Sequence, residues 1–263
     1  MVYRMEKITS RRNPLCMHIK KLGLSRSYRY ESGEFLCDGV KLLEEAVLSG
    51  AEICSVLTSS EIPFPLSVDT RVYCTTQILL DSVSPLNNAQ DLLFVCKMSG
   101  EKRISFETGT HILLDRMQDP GNVGTIIRTA GAFGINSVIM TGGCADPYNP
   151  KAIRASMGAI FRQYICGMDL AELTALRDSG VRFIATAPDS TGTDIRKLCL
   201  PGAVIAIGNE GRGLSAGVLS LCDEKALIPV YPGCESLNAS VAAAIVMWEA
   251  VRQPPVADTE RTG

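Results

Sequence analysis

Residues 203–215 read AVIAIGNEGRGLS: five apolar residues, then a loop in which Gly208, Gly211 and Gly213 surround Glu210 and Arg212. An apolar run without alternation is what a strand needs when both faces of its sheet are covered. Three glycines within six residues imply positive φ angles or a backbone that a ligand approaches closely. A Glu at the head of an apolar strand carries a desolvation cost that calls for a purpose. The bland alternative is a flexible turn with exposed charges.

The pattern repeats on either side. HILLDRM (111–117), SVIMTGG (137–143), QYICGM (163–168), RFIATAPDST (182–191) and ALIPVYPG (226–233) read as strands with polar or glycine-bearing ends. Between them TIIRTAGAFG (125–134), PKAIRASMGAIF (150–161), DLAELTALRDSG (169–180), SAGVLSLCD (215–223) and SLNASVAAAIVMWEAV (236–251) read as helices. This alternation predicts a parallel α/β sheet with helices on both faces. Ligands in such sheets bind beyond the carboxyl ends of the strands. The loops there are RMQDPGNVG, APDSTG, IGNEGRGLS and PVYPGCESLN. No GxGxxG follows a strand and no GxxxxGK[ST] occurs, so a standard dinucleotide or Walker phosphate site is not expected.

The first hundred residues form a separate α/β pattern. RRNPLCMHIKKLGL (11–24) predicts a helix begun after Pro14, and VKLLEEAVLSG (40–50) an amphipathic helix stopped at Gly50. GEFLCDG, ICSVLTSS, RVYCTT and DLLFVCKM read as strands. The polar stretch 97–110 is the candidate linker, and the tail after Gln253 is expected to be disordered.

The chain has 263 residues and a net charge of −2, and no apolar run long enough for a membrane helix. Its N-terminus lacks the apolar stretch of a secretory signal, so the expected location is the cytoplasm. None of the ten cysteines is paired at zinc-site spacing, which predicts buried reduced thiols and no metal. Only His18 and His111 could serve a catalytic thiol, and neither lies in a recognisable motif. The charge is uneven: residues 1–30 hold eight Lys or Arg against Glu6 alone, interleaved with Tyr3, Tyr28 and Tyr30. Basic side chains neutralise phosphates and aromatic rings stack on bases, so Arg11, Arg12, Lys20, Lys21, Arg26 and Arg29 are candidate RNA contacts; a solvated face is the alternative.

Three loops carry the chemistry. In DPGNVGTIIRTAGAFG (119–134) Asn122 is a candidate helix cap, and Arg128 is expected in the second turn beyond it. The second loop is 207–215. In the third, Ser236 or Asn238 can cap a helix of small apolar residues that would pack tightly in a core or a subunit interface. Met247 and Trp248 read as packing residues. With no metal cluster and no Ser–His–Asp order, the set suits a reaction that needs two substrates positioned, such as methyl transfer from a sulfonium cofactor.

NVGTIIRTAGAFG, IGNEGRGLS and IPVYPGCESLNASVAAAIVMWE together resemble, in order and separation, the three motifs of the SpoU/TrmH family of RNA 2′-O-ribose methyltransferases, within the SPOUT superfamily. The resemblance spans about 108–252, and residues 1–100 resemble the RNA substrate-binding domain that many members carry. It implies a small α/β RNA-binding domain over 1–100 and a methyltransferase domain over 108–253 whose parallel sheet ends in a deep trefoil knot. It also implies a homodimer and S-adenosylmethionine bound largely through backbone groups. Carried over, the cofactor would lie near Thr186, Ala187, Gly208, Asn209, Glu210, Gly211, Ile228, Pro229, Ser236, Leu237 and Asn238. Asn122, Arg128, Glu210, Ser236 and Asn238 match the family's polar catalytic positions. The family's proposal of the Arg as base meets a physical objection, because guanidinium stays charged; Arg128 is better read as a clamp on the target phosphate. Ribosomal RNA is the favoured substrate. The competing readings are a tRNA ribose methyltransferase, a base methyltransferase on the same scaffold, and an RNA-binding protein without turnover.

Overall fold

The computed structural model describes residues 6–86, 89–98, 105–106, 108–187, 192–231, 233 and 236–253. The chain divides into two compact units, Met1–Glu101 with Asp146–Arg162, and Lys102–Ala145 with Gln163–Gly263.

The first unit begins with β1 (Glu6–Lys7), α1 (Pro14–Leu24), α2 (Arg26–Ser32), β2 (Glu34–Asp38) and α3 (Val40–Leu48). It continues through β3 (Ile53–Thr58), β4 (Arg71–Cys74), α4 (Gln77–Val83) and β5 (Leu92–Lys97). Pro14 opens α1 behind the Asn13 cap, where its missing N–H costs nothing. The sheet order is β1-β4-β3-β5-β2, with β5 antiparallel to both β2 and β3. Ile19 and Leu22 of α1 and Leu79, Leu80 and Val83 of α4 share one core cluster with Leu36, Leu57, Leu93 and Val95 of the strands.

The second unit holds β6 (His111–Leu114), α5 (Pro120–Ala132) and β7 (Ser137–Met140). After helix α6 (Pro150–Ser156) come β8 (Ile165–Gly167), α7 (Leu170–Asp178), β9 (Arg182–Thr186), β10 (Thr193–Asp194), β11 (Ala203–Ile207), α8 (Ala216–Leu221), β12 (Glu224–Leu227) and α9 (Ala239–Arg252). The sheet order is β10-β12-β9-β11-β6-β7-β8, and every pairing is parallel. Leu113, Ile139, Phe183, Val204 and Ala206 pack on Leu173 of α7 and on Val218 and Leu221 of α8. The residues alternating with them are also buried, and α9 and α5, which pack on each other, lie against β11 and β7. Continuous apolar strands thus mark a sheet covered on both faces, as the sequence predicts.

Helix α6 departs from the expectation of one helix over 150–161. Met157 and Gly158 both take positive φ, +48° and +88°, and the chain resumes only as a short 3-10 turn at Ala159–Phe161. Residues 146–162 pack within the first unit. There the Arg29 guanidinium, 3% exposed, pairs with Asp146 at 2.6 and 2.8 Å and donates to the Leu22 carbonyl. Arg154 pairs with Asp38, and Phe35 meets Tyr148 at 4.9 Å. Arg29 therefore presents no charge to a partner, which corrects its assignment as an RNA contact. The other five, Arg11, Arg12, Lys20, Lys21 and Arg26, are exposed, with Lys21 over the Tyr28 ring and Arg26 over the Tyr30 ring.

Half of the proposed linker (99–104 and 107) and all of the tail after Gln253 lie outside the described residues. No helix among the described residues is long and apolar enough to cross a membrane.

Candidate active site at the carboxyl end of the sheet

Strand β11 delivers the loop beyond Ile207 to the carboxyl edge of the sheet. Asn209 and Gly213 exchange backbone hydrogen bonds of 3.0 and 2.9 Å, which closes the loop on itself. The Asn209 side chain accepts from the Gly211 and Arg212 N–H groups at 3.0 and 3.1 Å. The glycines serve this closure. A Cβ on Gly208 would stand 2.4 Å from the Gly213 carbonyl carbon, and Gly213 takes φ +65°. Gly211 meets neither demand.

A cleft of about 650 Å³ opens beside this loop, lined by residues 207–213, by Thr186 and Ala187, by Ala226, Ile228 and Val230, and by Ser236, Leu237, Ala239 and Ala242. That volume suits a cofactor-sized ligand. Its walls are small and aliphatic, and its polar groups are concentrated on the glycine loop and Ser236. The Thr186 hydroxyl is spent on the Ala206 carbonyl at 2.8 Å, so Thr186 offers chiefly its backbone and methyl.

Nine of the eleven expected cofactor residues line the cleft: Thr186, Ala187, Gly208, Asn209, Glu210, Gly211, Ile228, Ser236 and Leu237. Pro229 and Asn238 do not. Asn238 instead caps α9, accepting from the Ser240 and Val241 N–H groups at 2.9 and 3.4 Å. Ile207, Arg212, Gly213, Ala226, Val230, Ala239 and Ala242 are additional lining residues. The hydropathy of the last two pointed only to packing.

The first motif differs in detail from its sequence reading. Asp119, not Asn122, caps α5, accepting from the Asn122 N–H at 2.7 Å, with Pro120 as the first helical residue. Asn122 is thereby inside the first turn, and its side chain donates to Glu210 Oε1 at 3.0 Å. Arg128, eight residues beyond Pro120, sits in the third turn rather than the second. It is exposed, and among the described residues no hydrogen bond or ion pair engages it.

Three thiols are held in the protonated form by their surroundings. Burial pushes Cys54 and Cys222 up to about 12 and Cys166 to about 11, with nearby carboxylates adding to each. His111 is buried beside the Ser137 hydroxyl, 2.7 Å from Nδ1, while its Nε2 has no hydrogen-bond partner among the described residues; burial lowers its pKa. His18 lies between Tyr28 and Glu34 in the first unit. No group of three His, Cys, Asp or Glu among the described residues is placed to hold a metal.

The profile of the SpoU rRNA methylase family matches residues 109–248, more than half of the chain. The chain belongs to the SpoU family. Among SpoU relatives, it is 32% identical over 249 residues to the 23S rRNA (guanosine(2553)-2′-O)-methyltransferase RlmP of Bacillus subtilis, covering 93% of this chain and 98% of that protein. It is likewise 32% identical to the 23S rRNA (uridine(2479)-2′-O)-methyltransferase of Streptomyces viridochromogenes, covering 94% and 92%. A solved SpoU-like neighbour is the AdoMet-bound rRNA methyltransferase of Sinorhizobium meliloti, with TM-score 0.82, 26% identity, and 94% and 98% of the two chains covered.

Proposed function

We propose that the protein transfers a methyl group from S-adenosylmethionine to a ribose 2′-hydroxyl of ribosomal RNA. The observation that carries this is the cleft bounded by the closed 208–213 loop, with the Asn122–Glu210 hydrogen bond tying the first motif to the second. Apolar walls with backbone donors and acceptors on one side fit a ligand that is part purine and part amino acid. When bound, the cofactor supplies an electrophilic sulfonium methyl. The chain's own residues hold and orient. Residues 207–213, with Ile228, Val230, Ser236 and Leu237, would cradle the cofactor, and Asn122 fixes Glu210 at the mouth. Arg128 clamps the phosphate next to the target ribose and stabilises charge developing on its 2′-oxygen. Its exposure, and the absence of a partner for it among the described residues, support that role, because a phosphate then meets an uncommitted fork of donors. Asn238 contributes by setting the start of α9, which fixes Ser236 and Leu237.

Residues 1–100, joined by 146–162, act as the RNA-binding domain, and the rest of 108–253 as the methyltransferase domain. The exposed Arg11, Arg12, Lys20, Lys21 and Arg26 form the RNA-facing charge. The working form is a homodimer in the cytoplasm. An apolar strip on the α5–α9 pair supports pairing: Trp248 is 56% exposed and packs on Phe133 at 5.8 Å, with Val241 and Val251 also exposed. The trefoil knot that family membership implies would lie at the carboxyl end of this sheet.

The test is transfer of a labelled methyl group to total RNA from cells lacking the protein, followed by nucleoside analysis. Label in a 2′-O-methylnucleoside of ribosomal RNA is the expected result. Label on a base, or in tRNA alone, overturns the assigned chemistry or substrate.

A further inference from the structure

Asp115 follows the last residue of β6 and belongs to none of the motif positions discussed above. Its side chain is 2% exposed, and both oxygens are used. Oδ2 accepts from the Ser215 N–H at 2.6 Å, and Oδ1 accepts from the Thr141 hydroxyl at 2.9 Å. Ser215 is the cap of α8 and the last residue of the 208–215 loop. The loop's far end is therefore pinned to β6 by a charge-assisted bond, the stronger kind.

The near end is pinned one residue further on. Arg116 takes φ +54°, the left-handed region, where a side chain with a Cβ is strained. In that conformation its carbonyl accepts from Asn209 Nδ2 at 2.9 Å, and its N–H donates to the Thr141 hydroxyl oxygen at 3.0 Å. Thr141 thus joins the two anchors, donating to Asp115 and accepting from Arg116. The bonds within the loop, made by Asn209, set its shape. The bonds to Asp115 and Arg116 set where that shape stands against the cleft.

We infer that Asp115 is a positioning residue for cofactor binding, acting through Ser215 and, by way of Thr141, through the Arg116–Asn209 bond. This rests on the reading of the cleft as the S-adenosylmethionine site. Truncating Asp115 strips the Ser215 N–H and the Thr141 hydroxyl of their common acceptor. The loop keeps its internal bonds but loses its fixed place, so the cofactor must spend binding free energy to restore it.

The experiment uses the full chain and two readouts: calorimetric affinity for S-adenosylmethionine without RNA, and hydrogen exchange of the 208–215 amides. Asp115→Ala is expected to weaken the cofactor by about tenfold or more. It should speed exchange in 208–215 and leave β11 protected. Asp115→Asn, which retains one acceptor oxygen, should fall between. Val138→Ala, in β7 away from the loop, serves as the comparison for simple destabilisation: it should lower the melting temperature and leave cofactor affinity intact. Should Asp115→Ala fail to fold, Thr141→Val removes one of the two partners and is expected to weaken the cofactor several-fold. A folded variant with wild-type affinity and unchanged loop exchange overturns the inference. Wild-type protein that binds no cofactor, with loop exchange still responding to Asp115→Ala, removes the reading of the cleft and keeps the anchoring role.

Discussion

Asn122 and Glu210, 88 residues apart in sequence, meet side chain to side chain at 3.0 Å, with the amide donating to the carboxylate. This contact exists because Asp119 takes over the capping of α5 and releases the Asn122 side chain. Asn122→Asp sets one carboxylate against another. Methyl transfer should fall by about tenfold or more, with cofactor affinity much less affected. Single-turnover rates at saturating cofactor, beside calorimetry, separate the two.

Gly208→Ala tests the loop's self-closure. The added Cβ meets backbone at 2.4 Å, which no side-chain rotation relieves. S-adenosylmethionine affinity is expected to drop about tenfold or more while the far-ultraviolet spectrum is retained.

Arg128→Ala is expected to cost about a hundredfold in RNA methylation at unchanged cofactor affinity. Arg128→Lys should rescue little of it, because an ammonium cannot offer a planar pair of donors to a phosphate. Full turnover by the Lys variant would rule out the bidentate clamp.

The arginines of the first unit should separate cleanly. Charge reversal of Arg11 and Arg12 should weaken RNA binding and flatten its dependence on salt, with stability kept. Arg29→Ala should instead destabilise by about 3–5 kcal/mol, since Asp146 is left buried without its counterion. Filter binding across a salt series reads the first, and denaturant unfolding the second.

His111 gives the chain an acid sensitivity with a definite sign. Burial lowers its folded pKa below the unfolded value, so the unfolded chain binds the proton more readily. Its contribution is fully present above the unfolded value and is lost as pH falls toward the folded one. Unfolding midpoints measured from pH 7.5 to 5.5 should fall less steeply for His111→Asn than for the wild type.

Much of this arrangement was legible from local sequence. The unbroken apolar runs of β6, β7 and β11 announced a doubly covered sheet, and the glycines after Ile207 announced a constrained loop. Pro120 carries the signal that places the cap at Asp119: proline favours the first helical position, so the cap belongs one residue before it. Gly158 likewise marked the end of α6. Helix α2 was harder, because RSYRYES has no apolar period and depends on its Ser25 cap. The fate of Arg29 was not readable locally at all, since its partner Asp146 lies 117 residues away. Asp115 was visible only as the charge that ends an apolar strand, and its meaning depends on Ser215, 100 residues on.

The membership of residues 146–162 in the first unit bears on how the protein is made. On the ribosome, the amino-terminal unit lacks Asp146, the counterion of Arg29, and the Arg154 guanidinium that pairs with Asp38, until residue 154 has emerged. By then β6, α5 and β7 have already been synthesised. Birth order and folding order therefore differ, and a release or pause near residue 100 yields a nascent chain with an exposed, incomplete face for chaperones to recognise.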